Sequence, residues 1–106
     1  MQLNSAERLK LHLAAVLVNN FTNALYAEAD KFVSKKIKNK NINFKLFLPI
    51  IDQTVLKLKN MTPAAAQTGP AKRRDEKVMK QHLKILKNNK LKEVYKQLSA
   101  LINKQK

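Results

Sequence analysis

The sequence predicts an all-α fold, a bundle of about four helices in which the first helix is long. Apolar residues recur every three or four positions over most of the chain, which is the spacing of an amphipathic helix. One glycine and three prolines interrupt this pattern. No segment shows the strict alternation that marks a half-buried strand. A chain of 106 residues has the size of one small domain, so we expect residues 1–106 to form a single helical domain.

The first helix is predicted to begin at Asn4 or Ser5 and to continue to about Ile37. Asn4 is a favourable N-cap, and Glu7 stands three residues beyond it, as in a capping box. Between residues 11 and 18 the helix is apolar almost all round, which indicates burial on more than one side. The other three helices of the chain could cover this segment. Alternatively, a second copy of the chain or a missing domain covers it. We expect a homodimer through this helix or a missing partner domain.

Three further helices follow from the same periodicity and from the breaks between them. They are expected at residues 44–58, from Asp75 to about Lys87, and at residues 91–102. Pro49 should bend or restart the second helix near its beginning, and Pro63 closes it. Asp75 is a plausible N-cap for the third helix.

The composition narrows the possible classes of protein. The chain is 44% hydrophobic and 27% charged, too apolar for a disordered tail and too often interrupted by lysine for a membrane span. It contains no cysteine, which excludes disulfides, thiolate zinc sites and a cysteine nucleophile. We therefore expect a soluble, cytoplasmic protein that does not associate with membranes.

The net charge of +15 could indicate nucleic-acid binding, because such a charge attracts phosphate backbones. The cations are mostly lysines, however, and they are scattered without stacking aromatic residues. Base readout relies on arginine, and single-strand binding relies on exposed aromatic rings. We do not expect specific nucleic-acid recognition, although a small basic nucleic-acid-binding protein and a helical interaction scaffold remain the alternatives.

A first group of candidate site residues lies on the long helix. On an ideal α-helix five polar residues fall within about 40° of one line: His12, Asn19, Asn23, Tyr26 and Asp30. Asn20 lies to the side of this line, adjacent to Asn23. This polar stripe could be a solvated outer face. Alternatively, amides within so apolar a segment face a cleft, where a bound polar ligand supplies their hydrogen bonds.

A second group surrounds the only glycine, Gly69, in a Thr-Gly-Pro turn that starts at Thr68. Glycine permits a backbone conformation closed to other residues, and proline stiffens the turn. Arg73 and its neighbours supply cationic donors that would suit a phosphate or carboxylate group. His82 lies two helical turns beyond Asp75 on the same face and could point at this loop. A plain connection between helices is the alternative.

Residues with recognisable catalytic spacing are lacking. The sequence contains no glycine-rich phosphate loop, no nucleophile elbow and no paired metal-ligand spacing, so we predict no metal site and no catalytic residue. We expect this chain alone to be inactive as an enzyme.

Taken in order, four segments resemble the helical C-terminal domain called domain-of-unknown-function family 2520. They are LHLAAVLVNNFTNALYAEAD (11–30), FLPIIDQTVLKL (47–58), AAAQTGPAKRRDEKVMKQHLKIL (64–86) and EVYKQLSALI (93–102). The most specific parts are the Asn-Phe-Thr-Asn run from Asn20 and the Thr-Gly-Pro-Ala-x-Arg-x-Asp run from Thr68. The family is similar to the pyrroline-carboxylate reductase, ketopantoate reductase and 6-phosphogluconate dehydrogenase superfamily.

The resemblance implies a role for the chain in a larger oxidoreductase. The chain would be the C-terminal half of a two-domain protein, resembling the 6-phosphogluconate dehydrogenase C-terminal domain. A Rossmann-like half, absent from this chain, would precede Met1 and bind NADP or NAD. The helical half would pair subunits and cover the cleft that holds cofactor and substrate. Neither the substrate nor the reaction follows from the family.

The resemblance also assigns cleft-facing positions residue by residue. It favours Asn20 where the ideal wheel favours Asn19, and Arg74 stands where the family usually has glycine. The candidates are His12, Asn20, Asn23, Thr68, Gly69, Arg73, Asp75 and His82.

Overall fold

The fold was analysed in a computed structural model, which describes residues 2–105. These residues form helices and turns without a β-strand, which confirms the all-α prediction. The elements are α1 (Ser5–Ala15), a π-helical turn (Val16–Phe21), α2 (Thr22–Lys36), a 3-10 turn (Phe44–Phe47), α3 (Leu48–Lys57), α4 (Pro63–Ala66), α5 (Pro70–Arg73), α6 (Glu76–Ile85) and α7 (Asn89–Asn103). No helix in this part of the chain is long and apolar enough to cross a membrane.

The long first helix is confirmed, because α1, the π-helical turn and α2 follow one another without a break. The predicted capping box is present: the Asn4 side chain accepts from the Glu7 backbone N–H at 2.8 Å, and the Glu7 carboxylate accepts from the Asn4 N–H at 3.1 Å. The π-helical turn was not expected. One extra residue sets the following segment back by about 100°, but the helical spacing of apolar residues continues on both sides of the turn, so periodicity does not reveal it.

The described residues divide into two compact units, one up to Ile50 and the other from Ile51 onward. In the first unit α2 packs against the 3-10 turn. The rings of Tyr26 and Phe44 lie 5.7 Å apart, and those of Phe44 and Phe47 lie 6.0 Å apart. Val33 of α2 is the buried residue of this unit. The 3-10 turn leads directly into α3, and Pro49 is the second residue of that helix. The helix therefore restarts next to Pro49, as the sequence predicted.

Three helices of the second unit begin at side-chain caps. Thr62, Asp75 and Asn88 each accept a hydrogen bond from a backbone N–H three residues later, at the starts of α4, α6 and α7. The cap at Asp75 was predicted. The one-turn helices α4 and α5 were not, because four residues are too few to show a period. α5 contacts both α6 and α7, and its Ala71 is buried.

Candidate functional site

The Thr-Gly-Pro turn has a backbone that requires glycine. Gly69 has φ of 103° and ψ of 174°, a region that is essentially closed to residues with a Cβ. A Cβ built there would meet no other atom within 4 Å. The requirement for glycine is therefore conformational rather than a matter of space. Pro70 then begins α5, whose first turn closes with a hydrogen bond from the Arg73 N–H to the Gly69 carbonyl at 3.2 Å.

The end of α5 is joined to the start of α6 by a compact set of hydrogen bonds. Arg74 adopts a left-handed conformation, with φ of 57° and ψ of 39°. The Asp75 N–H donates to the Pro70 carbonyl at 2.8 Å, and the Arg74 N–H donates to the Ala71 carbonyl at 3.2 Å. This is the Schellman pattern that closes many helices. The Asp75 carboxylate accepts from the Val78 N–H at 3.2 Å, so one residue ends α5 and caps α6.

Three consecutive cations follow this turn. Lys72, Arg73 and Arg74 are exposed, and within residues 2–105 none of them forms a salt bridge. Thr68 is exposed, and its carbonyl accepts a hydrogen bond from the Gln67 amide at 3.2 Å. Unpaired guanidinium groups beside a rigid turn can bind a carboxylate or phosphate through charge-assisted hydrogen bonds.

His82 and Tyr95 form a polar pair between α6 and α7. The distance from His82 Nδ1 to Tyr95 Oη is 2.8 Å, and the rings meet edge to face with centroids 5.8 Å apart. Both residues are half-buried, and burial raises the pKa of the Tyr95 hydroxyl above its ordinary value of 10.0. The Tyr95 hydroxyl is the hydrogen-bond partner that the structure shows for His82. The sequence places Tyr95 within the helix expected at residues 91–102 but gives it no partner, since nothing in the spacing links positions thirteen apart on different helices.

The candidates on the first helix are shifted relative to one another by the π-helical turn. The turn holds one residue more than an α-helix would, which sets the following residues back by about 100°. Asn20 thereby comes into line with His12, and Asn23 moves away from that line. The ideal α-helical wheel was therefore wrong in aligning His12 with Asn19 and Asn23.

The three side chains are also open to a ligand. His12, Asn20 and Asn23 are exposed, and in the described chain none of them has a hydrogen-bond partner. The Thr22 hydroxyl donates from Oγ1 to the Leu17 carbonyl at 3.4 Å. This carbonyl lies inside the π-helical turn, which displaces its usual α-helical hydrogen bond.

The candidate residues thus form two groups, one in each unit. His12, Asn20 and Asn23 share the first helix, while Thr68, Gly69, Arg73, Asp75 and His82 belong to the second unit. No group of three or more His, Asp or Glu side chains that could hold a metal ion occurs among residues 2–105.

Comparison with known proteins identifies the family. The profile described as domain of unknown function (DUF2520) matches residues 1–102. The chain belongs to this family. Arg74, where the resemblance to this family led us to expect glycine, has a left-handed backbone, which among residues 2–105 no other non-glycine residue has.

A solved structure extends the comparison beyond the helical domain. The chain is similar to the crystal structure of a "putative NADP oxidoreductase" from Bacteroides fragilis, with 40% identity and a TM-score of 0.87. The similarity covers 97% of this chain and 39% of the other. The chain therefore spans well under half the length of that relative. No curated protein matches the sequence significantly.

Proposed function

We propose that this chain is the helical domain of an NADP-dependent oxidoreductase, in which it pairs subunits and helps to enclose the substrate. The observation that carries the proposal is the coverage of the solved relative. Almost all of this chain corresponds to a minor part of a protein described as an NADP oxidoreductase. The larger part, a Rossmann-like nucleotide-binding domain in our proposal, would bind NADP at the N-terminal end of a helix after its first strand.

The exposed polar side chains of the first helix are our candidates for substrate contact. His12 and Asn20 share one line along the helix, and no intramolecular hydrogen bond satisfies their polar atoms in the described residues. Amide groups can donate and accept at once, so Asn20 and Asn23 suit a ligand with hydroxyl or carbonyl groups.

The loop from Thr68 to Asp75 would contribute charge and rigidity. Arg73 offers planar, paired donors for a carboxylate or phosphate group. Gly69 and Asp75 fix the backbone on either side of it, and His82 is held in place by Tyr95. In this proposal Arg73 binds ligand directly, whereas Gly69 and Asp75 position it.

The homodimer is supported by the surface of the first helix. Large apolar side chains are exposed along it, including Leu13 at 60% and Val18 at 72%. Contiguous apolar patches on a monomer mark interaction surfaces, because leaving them in water is unfavourable. Sedimentation equilibrium of the chain should give a mass twice that of the monomer at micromolar concentration. A monomer at every concentration tested would refute the pairing of subunits through this domain.

The oxidoreductase role is tested first in the gene. The DNA upstream of the Met1 codon should encode a domain with a strand followed by a Gly-x-Gly-x-x-Gly turn. The protein containing both parts should then bind NADPH, measured as a change in nicotinamide fluorescence, and the chain alone should not. An unrelated upstream sequence combined with salt-sensitive binding to a DNA oligonucleotide would instead favour the basic nucleic-acid-binding alternative.

A further inference from the structure

Arg74 has a backbone conformation that disfavours any side chain. Its φ is 57° and its ψ is 39°, and among residues 2–105 it is the one residue other than glycine with a positive φ. In this left-handed region the Cβ lies too close to the following carbonyl oxygen, and glycine avoids that clash. The position ends α5, where glycine is the usual residue. An arginine is therefore retained here against the preference of the backbone.

Repulsion between like charges adds to this disadvantage. Lys72, Arg73 and Arg74 are three consecutive cations, and all are exposed. Within the described residues none of them forms a salt bridge. The two acids that follow do not pair with them, because the Asp75 carboxylate accepts the capping hydrogen bond of α6 and Glu76 is exposed without a salt bridge in that part of the chain. The fold itself therefore gives the Arg74 side chain no partner.

Strained backbone conformations persist mainly at sites of function, where the side chain is needed for something outside the fold. We infer that Arg74 and Arg73 together bind a phosphate monoester group of the substrate, and that Arg74 is retained for this purpose. The inference rests on the proposed function, in which Arg73 binds the ligand, and it adds the class of the ligand and a second binding residue.

Two adjacent arginines are able to reach a single anion. Their Cα atoms are about 3.8 Å apart, and each long side chain ends in a planar guanidinium group with several N–H donors. The backbone that carries them is held on both sides, by the turn at Gly69 and by the contacts of α5 with α6 and α7. Binding therefore orders two side chains and little else, which limits its entropic cost.

The number of donors favours phosphate over carboxylate. One guanidinium group satisfies both oxygens of a carboxylate through paired hydrogen bonds, which leaves a second guanidinium without an acceptor. A phosphate monoester has three terminal oxygens and a charge of roughly −1.5 to −2 at neutral pH, so it can accept from both groups. In the proposed protein NADP is held by the nucleotide-binding part. The phosphate bound at this loop is then the substrate's.

The first test measures whether inorganic phosphate binds at this loop. In an amide NMR titration of the chain with sodium phosphate, at ionic strength kept constant with sodium chloride, the signals of residues 69–76 should shift and saturate. Sodium acetate should bind on the order of tenfold more weakly, because it engages one guanidinium group. The absence of a saturable shift with phosphate, or equal affinity for acetate, would overturn the inference. Neither result bears on NADPH binding, which tests the proposed function separately.

Substitution of Arg74 gives the sharper result, because the fold and the ligand favour different residues. Arg74→Gly should raise the Tm of the free chain and yet weaken phosphate binding by on the order of tenfold. Lys84→Gln is the matched control for charge. Lys84 is exposed and lies about 14 Å along α6 from Asp75, beyond the Debye length of about 8 Å at physiological ionic strength. Its substitution should leave the affinity for phosphate unchanged.

Three outcomes of these substitutions would overturn the inference. A higher Tm with unchanged affinity in Arg74→Gly would place Arg74 outside the site. A loss of both would show that the arginine is structural. An equal weakening by Lys84→Gln would show that phosphate responds only to net charge. Arg73→Ala separates this inference from the proposed function: if it abolishes binding while Arg74→Gly does not, Arg73 keeps its proposed role and the part assigned to Arg74 is wrong.

The last test distinguishes the phosphate of the substrate from that of the cofactor. The protein containing both parts, saturated with NADPH, should bind inorganic phosphate at this loop as tightly as the same protein without NADPH. Competition between the two would mean that the loop holds the ribose 2′-phosphate of the cofactor, and it would overturn the assignment to the substrate. The NADPH titration in the same experiment reports on the proposed function independently.

Discussion

The two units of this protein are stabilised in different ways. The first is dominated by one long helix that runs from α1 through the π-helical turn to α2, and most of its large apolar side chains are exposed. The second contains helices as short as the four residues of α4 and α5. Helices of that length do not form alone, so their structure depends on caps, turns and packing.

This difference predicts where substitutions act. In the first unit a change on the exposed apolar face, such as one at Leu13, should leave the fold intact, because these side chains are open to solvent. In the second unit a change at a single backbone position alters the fold, because one residue can serve two elements. Asp75 is such a residue, ending α5 and capping α6.

The largest effect on stability is expected at the turn before α5. Gly69→Ala should lower the free energy of unfolding by about 1–3 kcal/mol, since φ of 103° with ψ of 174° is nearly closed to alanine. Space is not the cause, because a Cβ would meet nothing within 4 Å. Urea denaturation followed by circular dichroism measures the loss.

A second substitution at the same position checks the cause. Asparagine tolerates the left-handed helical region but not this more extended one. Gly69→Asn should therefore be no better than Gly69→Ala. Recovery of stability with asparagine would show that the turn relaxes to a left-handed geometry, and the comparison between the units would lose its clearest case.

In both units the sequence could predict the features that depend on local rules, and it could not predict those that depend on packing or on a change of helical phase. The long helix, its capping box and the cap at Asp75 followed from periodicity and local hydrogen-bonding rules. The π-helical turn did not, because it shifts the phase of the pattern by one residue without breaking it. The His82 to Tyr95 bond could not be predicted either, since it depends on how α6 and α7 pack. The roles of the site residues stay predictions.

An intermediate effect is expected from the two tyrosines, one in each unit. Tyr95→Phe removes the hydroxyl bonded to His82 and should cost about 0.5–1.5 kcal/mol of unfolding free energy. Tyr26→Phe is the matched control. In the described chain the Tyr26 hydroxyl has no hydrogen-bond partner, while its ring still packs on Phe44 at 5.7 Å. Equal losses from the two substitutions would contradict the hydrogen bond to His82.

The same pair predicts a dependence on alkaline pH. Burial raises the pKa of Tyr95 above 10.0, so above that pH the folded state holds a proton that the unfolded state releases. Stability contributed by Tyr95 is complete below pH about 10 and falls as the pH rises through the native pKa. In the Tyr26→Phe variant Tyr95 is the one remaining tyrosine. Ultraviolet titration of this variant should show that its tyrosinate forms with a midpoint above pH 10. Titration at or below that value would show that Tyr95 is not shielded from water.

The smallest effect should be a gain. Arg74 holds φ of 57° and ψ of 39°, a left-handed conformation that costs a residue with a Cβ roughly 1–2 kcal/mol. Glycine has no such cost, although it loses more chain entropy on folding. Arg74→Gly should therefore raise stability by about 0.5–1 kcal/mol, measured as a higher Tm.

Alanine separates the backbone from the charge at this position. Arg74→Ala removes the same cation but retains a Cβ in the left-handed region, so it should give no gain. If alanine stabilises as much as glycine, the benefit comes from relieving repulsion within the cluster of Lys72, Arg73 and Arg74. If only glycine stabilises the protein, the gain comes from relieving the left-handed backbone conformation at the end of α5. In that case Arg74 is retained at a cost in stability, which makes it a further candidate for binding an anion beside Arg73.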